Sequence, residues 1–320
     1  MSSAPQAPTR APASGRGAAR TTVREGKERR PLSFYLFAAF FVLFVIFLYG
    51  PLSAIMLLSF QGPEGGLTFP MNGVSTVWFV ALFQQQRVGD FVGSFWRSFG
   101  LGVIVMLLSV TIGTMVGLAY RYGFRGATVL FYLTVASLVV PSILISLGIG
   151  IIFERTGLTT AWYTSGVGAH LTWTLPFALL IMLAVFNRFN PSYEEAARDL
   201  GANDAIAFRD VVLPLIAPSL VGVALLGFSL SYDEIARSSL TIGEKNTLPL
   251  EIYGMTTNVT SPSLYALGTV TTVFSFVVIA LFLVVTGYLG RRQARALVAQ
   301  AAAEEDETLA LAAAVSPDAP

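Results

Sequence analysis

Long uncharged runs alternate with short charged ones along most of this chain. The apolar stretches are Leu32–Phe60, Ser98–Tyr120, Gly126–Phe153, Thr156–Asn187, Val211–Tyr232 and Ile252–Gly290. Each can supply the ~20 residues that, at 1.5 Å rise, cross a hydrocarbon core of ~30 Å. None shows the apolar/polar alternation of a membrane strand, and helices satisfy their own backbone, as lipid demands. The pattern predicts an all-α membrane protein with six transmembrane helices. The fourth and sixth runs exceed one span, so their outer ends are expected to be loops or interfacial turns. Within the segment Gln61–Trp96, the stretch Val77–Phe83 reads either as an amphipathic helix lying in the interface or as an apolar loop.

Charge orients the spans. Arg10, Arg16, Arg20, Arg24, Lys27, Arg29, Arg30, Arg121, Arg125, Arg188, Arg198, Arg209, Arg291, Arg292 and Arg295 fall on one side of a six-span layout, whereas Arg87, Arg97, Arg155, Arg237 and Lys245 fall on the other. The positive-inside bias then puts both termini in the cytoplasm. Residues 1–31, rich in Ala, Pro, Arg and Ser, bury too little to offset ordering entropy and read as a disordered basic tail. The first apolar run is far longer than the roughly 7–15 residues of a signal core, so it is expected to remain as a span. Residues 32–290 make the transmembrane domain. Residues 291–320 make a cytoplasmic tail, with an acidic cluster at Glu304–Glu307 and a solvated, mobile end.

Composition agrees and excludes much. The chain is 54% hydrophobic and 12% charged, against about 25% charged for soluble domains. A net charge of +1 gives no bulk attraction to nucleic acid. With no cysteine and a single histidine, His170, there is no disulfide framework, thiolate site or His-cluster metal site. No Gly-x-x-x-x-Gly-Lys-Ser/Thr run is present, since Gly26-Lys27 is followed by Glu28, so no phosphate-cradling loop is expected. No nucleophile–base pairing stands out, and the chain reads as a non-enzyme.

The longest polar insertion among the spans is the loop at about 189–214. Ser192 with Glu195 three residues on has the spacing of a capping box, and Glu194 with Arg198 that of an i,i+4 pair. Ala196 and Ala197 let a partner backbone approach, Gly201 is placed to end the helix in a left-handed turn, and a second short helix over Asp204–Val212 leads to Pro214 in the first turn of the next span. On physics alone this helix–turn–helix is an ordinary charged cytoplasmic loop as readily as a docking element.

Its spacing changes that balance. Glu195-Ala196-Ala197, three residues, Gly201, nine residues, Val211, one residue, Leu213-Pro214 resembles the EAA loop of binding-protein-dependent ABC importer permeases, with Val211 where Ile is usual. Phe124-Arg125-Gly126, His170…Pro176, the stretches Phe228–Glu234 and Thr247–Tyr253, Pro262 and Ala266-Leu267-Gly268 are similar to the second permease subunit of spermidine/putrescine-type systems. The resemblance covers about Leu32 to Gly290, but neither tail. It implies a type I ABC importer permease fold in a bacterial inner membrane, with Glu195, Ala196, Ala197, Gly201, Leu213 and Pro214 forming the ATPase-coupling element. It implies as partners a cytoplasmic ABC ATPase dimer, which would bind ATP and Mg, a second homologous permease and an extracytoplasmic solute-binding protein. No cofactor is expected on this chain. A polyamine is the implied cargo, and related systems carry other amines, amino-acid-like solutes, phosphonates or ferric iron.

Asp233 and Glu234 lie on the order of 22 Å along the fifth span from Pro218. Intramembrane carboxylates usually face a cavity or a partner, so the two read as lining a path for a cation or, alternatively, as interfacial groups with one paired to Arg237. Glu154 faces the same choice beside Arg155. Trp173 offers a ring face to an ammonium, or simply packs. His170 reads as a satisfied polar residue near a helix start, Pro141 and Pro176 as kinks, and Asn258-Val259-Thr260 as a chance sequon. A stand-alone ion-driven transporter would call for duplicated helical halves within one chain, which are not evident.

Overall fold

The computed structural model describes residues 31–84, 89–258 and 261–315, so the basic tail and Arg87 lie outside the described residues. Contacts divide the chain after Pro51. The first unit is the N-terminal part of helix α1 (Leu32–Leu58), whose apolar side chains, Phe37 and Phe47 among them, stand exposed. An uncharged helical surface of that kind suits lipid.

The second unit continues with α2 (Val77–Ala81), α3 (Phe91–Tyr122), α4 (Ala127–Ala136), α5 (Ser142–Thr156), α6 (Ser165–Arg188), α7 (Ser192–Asp199) and α8 (Asp204–Ala207). A single π-helical turn, Phe208–Val212, leads into α9 (Leu213–Tyr232), followed by α10 (Leu248–Asn258) and α11 (Ser263–Val315). Among the described residues, five helical stretches are long and apolar enough to cross a membrane: Leu32–Leu58, Phe91–Tyr122, Ser165–Arg188, Asp204–Tyr232 and Ser263–Arg295. The third expected span is divided instead into α4 and α5. Pro141 stands at the break, where a missing N–H and a restricted preceding residue interrupt a helix. The helix of the last span runs on to Val315, past the Gly290 boundary expected from hydropathy.

Helices α3, α6 and α9 form the packed centre. Small residues bring α3 against α6: a Cβ on Gly113 would lie 2.8 Å from that of Ala178, and one on Gly117 2.8 Å from that of Met182. The Ser109 hydroxyl donates to Thr174 Oγ1 at 2.8 Å across the same seam. Close backbones and interhelical hydroxyl bonds are how helices associate where the hydrophobic effect gives little.

Two apolar clusters flank this seam. One gathers Met182, Phe186, Val212, Ile216 and Val223 near the α7–α8 loop. The other gathers Leu82, Phe91, Phe228, Tyr232, Leu248 and Met255, with Phe95, Phe99 and Phe274 packed against it. Helix α2 belongs to this second cluster: Leu82 is buried, and Trp78 Nε1 donates to the Gln61 carbonyl at 2.9 Å. Ala81 and Leu82 are buried while Val77, Val80 and Phe83 stay exposed, so the Val77–Phe83 stretch is a short amphipathic helix seated on the protein by one face.

Between α9 and α10, residues 233–247 are irregular. Hydroxyls from neighbouring helices satisfy their backbone. Ser146 Oγ donates to the Arg237 carbonyl and accepts from Leu240 N–H, Ser165 Oγ donates to the Thr241 carbonyl, and Ser98 Oγ accepts from Leu248 N–H. Irregular backbone at membrane depth persists only when buried in protein or lining a cavity.

Candidate functional site: the α7–α8 loop and a buried polar centre

The α7–α8 loop starts one step earlier than the sequence suggests. Pro191 already has helical dihedrals (φ −59°, ψ −28°), and Asn190 Oδ1 accepts from Ser192 N–H at 3.1 Å. Asn190 therefore caps and Pro191 occupies the first helical position, the arrangement that suits a residue lacking an N–H. Ser192 makes no side-chain cap, so the expected capping box is absent. Gly201 behaves as expected, with φ +90°. Its N–H donates to the Arg198 carbonyl and that of Ala202 to the Ala197 carbonyl, a Schellman closure that needs the left-handed residue. Asn203 then caps α8 through Ile206 N–H at 2.9 Å.

The expected Glu194–Arg198 pair does not form either. Arg198 reaches forward to Asp204 at 3.0 Å, while Glu194 turns inward and meets Arg121, in the last turn of α3, at 2.7 Å. Arg121 also lies over the Phe189 ring, 4.9 Å from its centre. What remains outward is Glu195, Ala196, Gly201 and, at 90% exposure, Leu200. Arg209 grips the adjacent Asp210 with two bonds of 2.7 and 2.9 Å. The outer face of the loop thus sets Leu200, its most exposed apolar side chain, with Tyr193 and Ile206 among small and charged side chains.

Leu213 and Pro214 open α9. Pro218, four residues on, has no N–H to give the Pro214 carbonyl. Gln293 of α11 supplies the missing donor through its Nε2. Sequence reasoning singled out neither Leu200, Arg121 nor Gln293. The Pro214–Pro218 spacing was the available signal for the last.

A buried polar centre is built around Arg237, whose side chain is only 1% exposed. Its Nη1 donates to Ser142 Oγ at 2.8 Å and meets Glu234 Oε2 at 3.4 Å. Its Nε donates to Thr172 Oγ1 at 3.2 Å, and its guanidinium lies 4.6 Å from the centre of the Trp173 ring. Next to it, His170 uses both ring nitrogens, at 2.8 Å to Ser231 Oγ and 3.0 Å to Ser238 Oγ. His170 is the satisfied polar residue that its position suggested. Glu234 is the carboxylate that pairs with Arg237.

The four candidate path residues fall in three places. Trp173 and Glu234 meet through Arg237, so the Trp173 face is occupied by this chain's own cation. Asp233 is separate: it caps the end of α9 and lines a groove of about 340 Å³ with Ser229, Tyr232, Pro249, Ile252 and Thr272. Glu154 lines a different groove, about 440 Å³, with Gly150, Leu158 and Leu240. No group of three or more metal-ligating side chains occurs among the described residues.

Comparison with known proteins gives this geometry a setting. The family described as "Binding-protein-dependent transport system inner membrane component" matches residues 109–295, a range that holds the whole α7–α8 loop and the Arg237 centre. The spermidine/putrescine transport system permease protein PotC of Haemophilus influenzae is 28% identical over 255 residues, covering 79% of this chain and 97% of that protein. The putrescine transport system permease protein PotI of Escherichia coli is 27% identical over 236 residues, covering 70% of this chain and 80% of that one. Among solved structures, a chain of a bacterial ABC transporter involved in the import of the acidic polysaccharide alginate superposes with a TM-score of 0.57 at 19% identity, covering 81% of this chain and 99% of that one. At that identity the likeness shows a shared fold.

Proposed function

Because this chain belongs to the inner membrane components of binding-protein-dependent transport systems, we propose that it is the permease subunit of an ATP-driven importer of polyamines. Six spans with both termini in the cytoplasm complete the reading, the divided α4–α5 run counting as one. Residues 1–31 and 291–320 are tails outside the transporting domain. A cytoplasmic ATPase dimer binds ATP and Mg and supplies the energy. A second, similar permease supplies the other half of the path, and an external binding protein delivers the cargo.

One observation carries the coupling role: α7 presents Glu195, Ala196 and Leu200 outward while Glu194 holds its inner side to α3. A short helix with a leucine protruding at its C-cap beside small residues suits insertion into a cleft of a partner, where a few centrally buried residues contribute most of the binding. Glu195, Ala196, Ala197 and Gly201 form the contact, and Leu213 and Pro214 join it to α9. ATP binding closes the ATPase dimer, moves these loops and rocks the two permeases between inward- and outward-facing states.

The cargo assignment rests on the two relatives' printed names and on Asp233. Asp233 lines an open groove with the Ser229 and Thr272 hydroxyls, a lining suited to an ammonium group. Glu234 and Trp173 act one layer behind it through Arg237, and Glu154 flanks the path from its own groove. Other amines, amino-acid-like solutes, phosphonates and ferric iron are the competing cargoes.

Gly201→Val tests the coupling role, since a β-branched residue at φ +90° cannot hold the turn that presents Leu200. The ATPase should no longer co-purify with the permease, and uptake should be lost. An ATPase that co-purifies at the native ratio, with native uptake, contradicts the assignment.

A further inference from the structure

We infer that the Arg121–Glu194 ion pair is the tie through which movement of α7 reaches the outer groove, with α3 as the rigid rod between them. The inference rests on the coupling reading of α7 and adds what that reading lacks, a route from the loop to Asp233.

The inner end of the route is a largely buried pair, its two side chains 14% and 7% exposed. Glu194 is 5% exposed on a helix whose other acids, Glu195 and Asp199, face outward. It makes its 2.7 Å contact with a residue 73 positions away, so the pair joins two elements instead of stiffening one. Arg121 is shielded by Phe189 on one side and sits in the last turn of α3, where a cation also meets the negative helix end. Removing one partner of such a pair strands a largely desolvated charge, so the pair holds as α7 moves.

The rod is α3 itself. Its 32 residues span about 48 Å. Gly113 and Gly117 seat it directly on α6, and Ser109 bonds Thr174 across that seam, so α3 moves as one body with its neighbour.

The outer end is as firmly tied as the inner one. Asp90 caps α3 through Gly93 N–H at 3.0 Å and pairs with Arg97 at 2.9 Å. Arg97 Nε donates to the Asn246 carbonyl at 2.7 Å, Ser98 Oγ accepts from Leu248 N–H at 2.8 Å, and Glu251 Oε1 accepts from Asp90 N–H at 3.1 Å. Leu248 and Pro249 line the Asp233 groove. A shift of α3 therefore moves one wall of that groove. Arg121 and Glu194 are positioning residues here, and neither touches cargo.

The test uses the full chain, which has no cysteine and so takes spin labels cleanly at Met115→Cys on α3 and Leu200→Cys on the loop. Electron–electron distance measurements compare the native pair with Glu194→Gln, Glu194→Arg, Arg121→Glu and the swap Arg121→Glu/Glu194→Arg. Single changes should broaden the distance distribution, and the swap should narrow it again. In the transporter assembled with its ATPase and without labels, uptake per ATP hydrolysed should drop in Glu194→Gln and Arg121→Glu and recover in the swap, while ATP hydrolysis itself continues. Native uptake per ATP in Glu194→Gln overturns the inference whatever the distances do, as does a swap that recovers neither readout. An ATPase that co-purifies at the native ratio with Gly201→Val, with native uptake, defeats the coupling reading separately, and leaves the distance result standing as a purely structural tie.

Discussion

The guanidinium of Arg237 lies 4.6 Å from the centre of the Trp173 ring, on the face that the sequence alone offers to an incoming ammonium. The same guanidinium bonds Ser142 and Thr172 and pairs with Glu234, so one buried cation joins α5, α6 and the segment after α9. Such a group is tolerated away from water only while its partners remain.

Replacing that cation should therefore unfold more than one contact. Arg237→Gln leaves Glu234 half-paired and uncovers Trp173, and should destabilise the protein by about 3 kcal/mol, within the range for breaking a buried pair. A thermal inactivation midpoint well below native in detergent is the expected reading. Trp173→Leu keeps the ion pair and should cost less.

The α3–α6 seam makes a second, steric prediction. A Cβ at Gly117 would meet Met182 Cβ at 2.8 Å and the Phe186 ring at 2.9 Å. Gly117→Leu should cost about 1–3 kcal/mol through overpacking. Gly168, whose Cβ would meet nothing within 4 Å, should accept alanine with little change in the same stability assay.

Gln293 and the two prolines make a double-mutant cycle. Gln293→Leu removes the donor to the Pro214 carbonyl and should cost about 1 kcal/mol, the usual net value of such a bond. Pro218→Ala restores a main-chain N–H at the position that should serve that carbonyl. The Gln293→Leu loss should therefore shrink in the Pro218→Ala background, and a cycle with no coupling would contradict the pairing.

Much of the fold was legible because lipid leaves few options. Uncharged runs long enough to cross had to be helices, and Val211–Tyr232 needed only its turn at Phe208–Val212 added. Gly201 and Pro214 were legible for local reasons, one needing a left-handed residue and the other having no N–H to lose. The division at Pro141 had its signal in the proline but was masked by an apolar run that continues through Leu138, Val139 and Val140. Asn190-Pro191 carried the true cap signature, yet Ser192 drew the capping box by spacing.

The site was harder to read, because its decisive contacts are remote in sequence. Glu194 chose Arg121 over Arg198, four residues away, since the inward face of α7 is the buried one. Arg237 turned inward to Trp173 and Glu234 although charge counting treats it as one more outer arginine. The Glu234–Arg237 pair, three residues apart, was one of the two readings the spacing offered, whereas Glu194–Arg121 and Arg237–Trp173 join residues too far apart for spacing rules to see.

Uptake of labelled putrescine and spermidine into vesicles holding the reconstituted transporter tests the central claim most directly, with its ATPase and binding protein present and with Asp233→Asn beside the native chain. The expected result is polyamine uptake that requires ATP and falls sharply in Asp233→Asn while the complex stays assembled. Uptake that ignores ATP and follows an ion gradient, or an intact transporter that carries another solute and no polyamine, would contradict it.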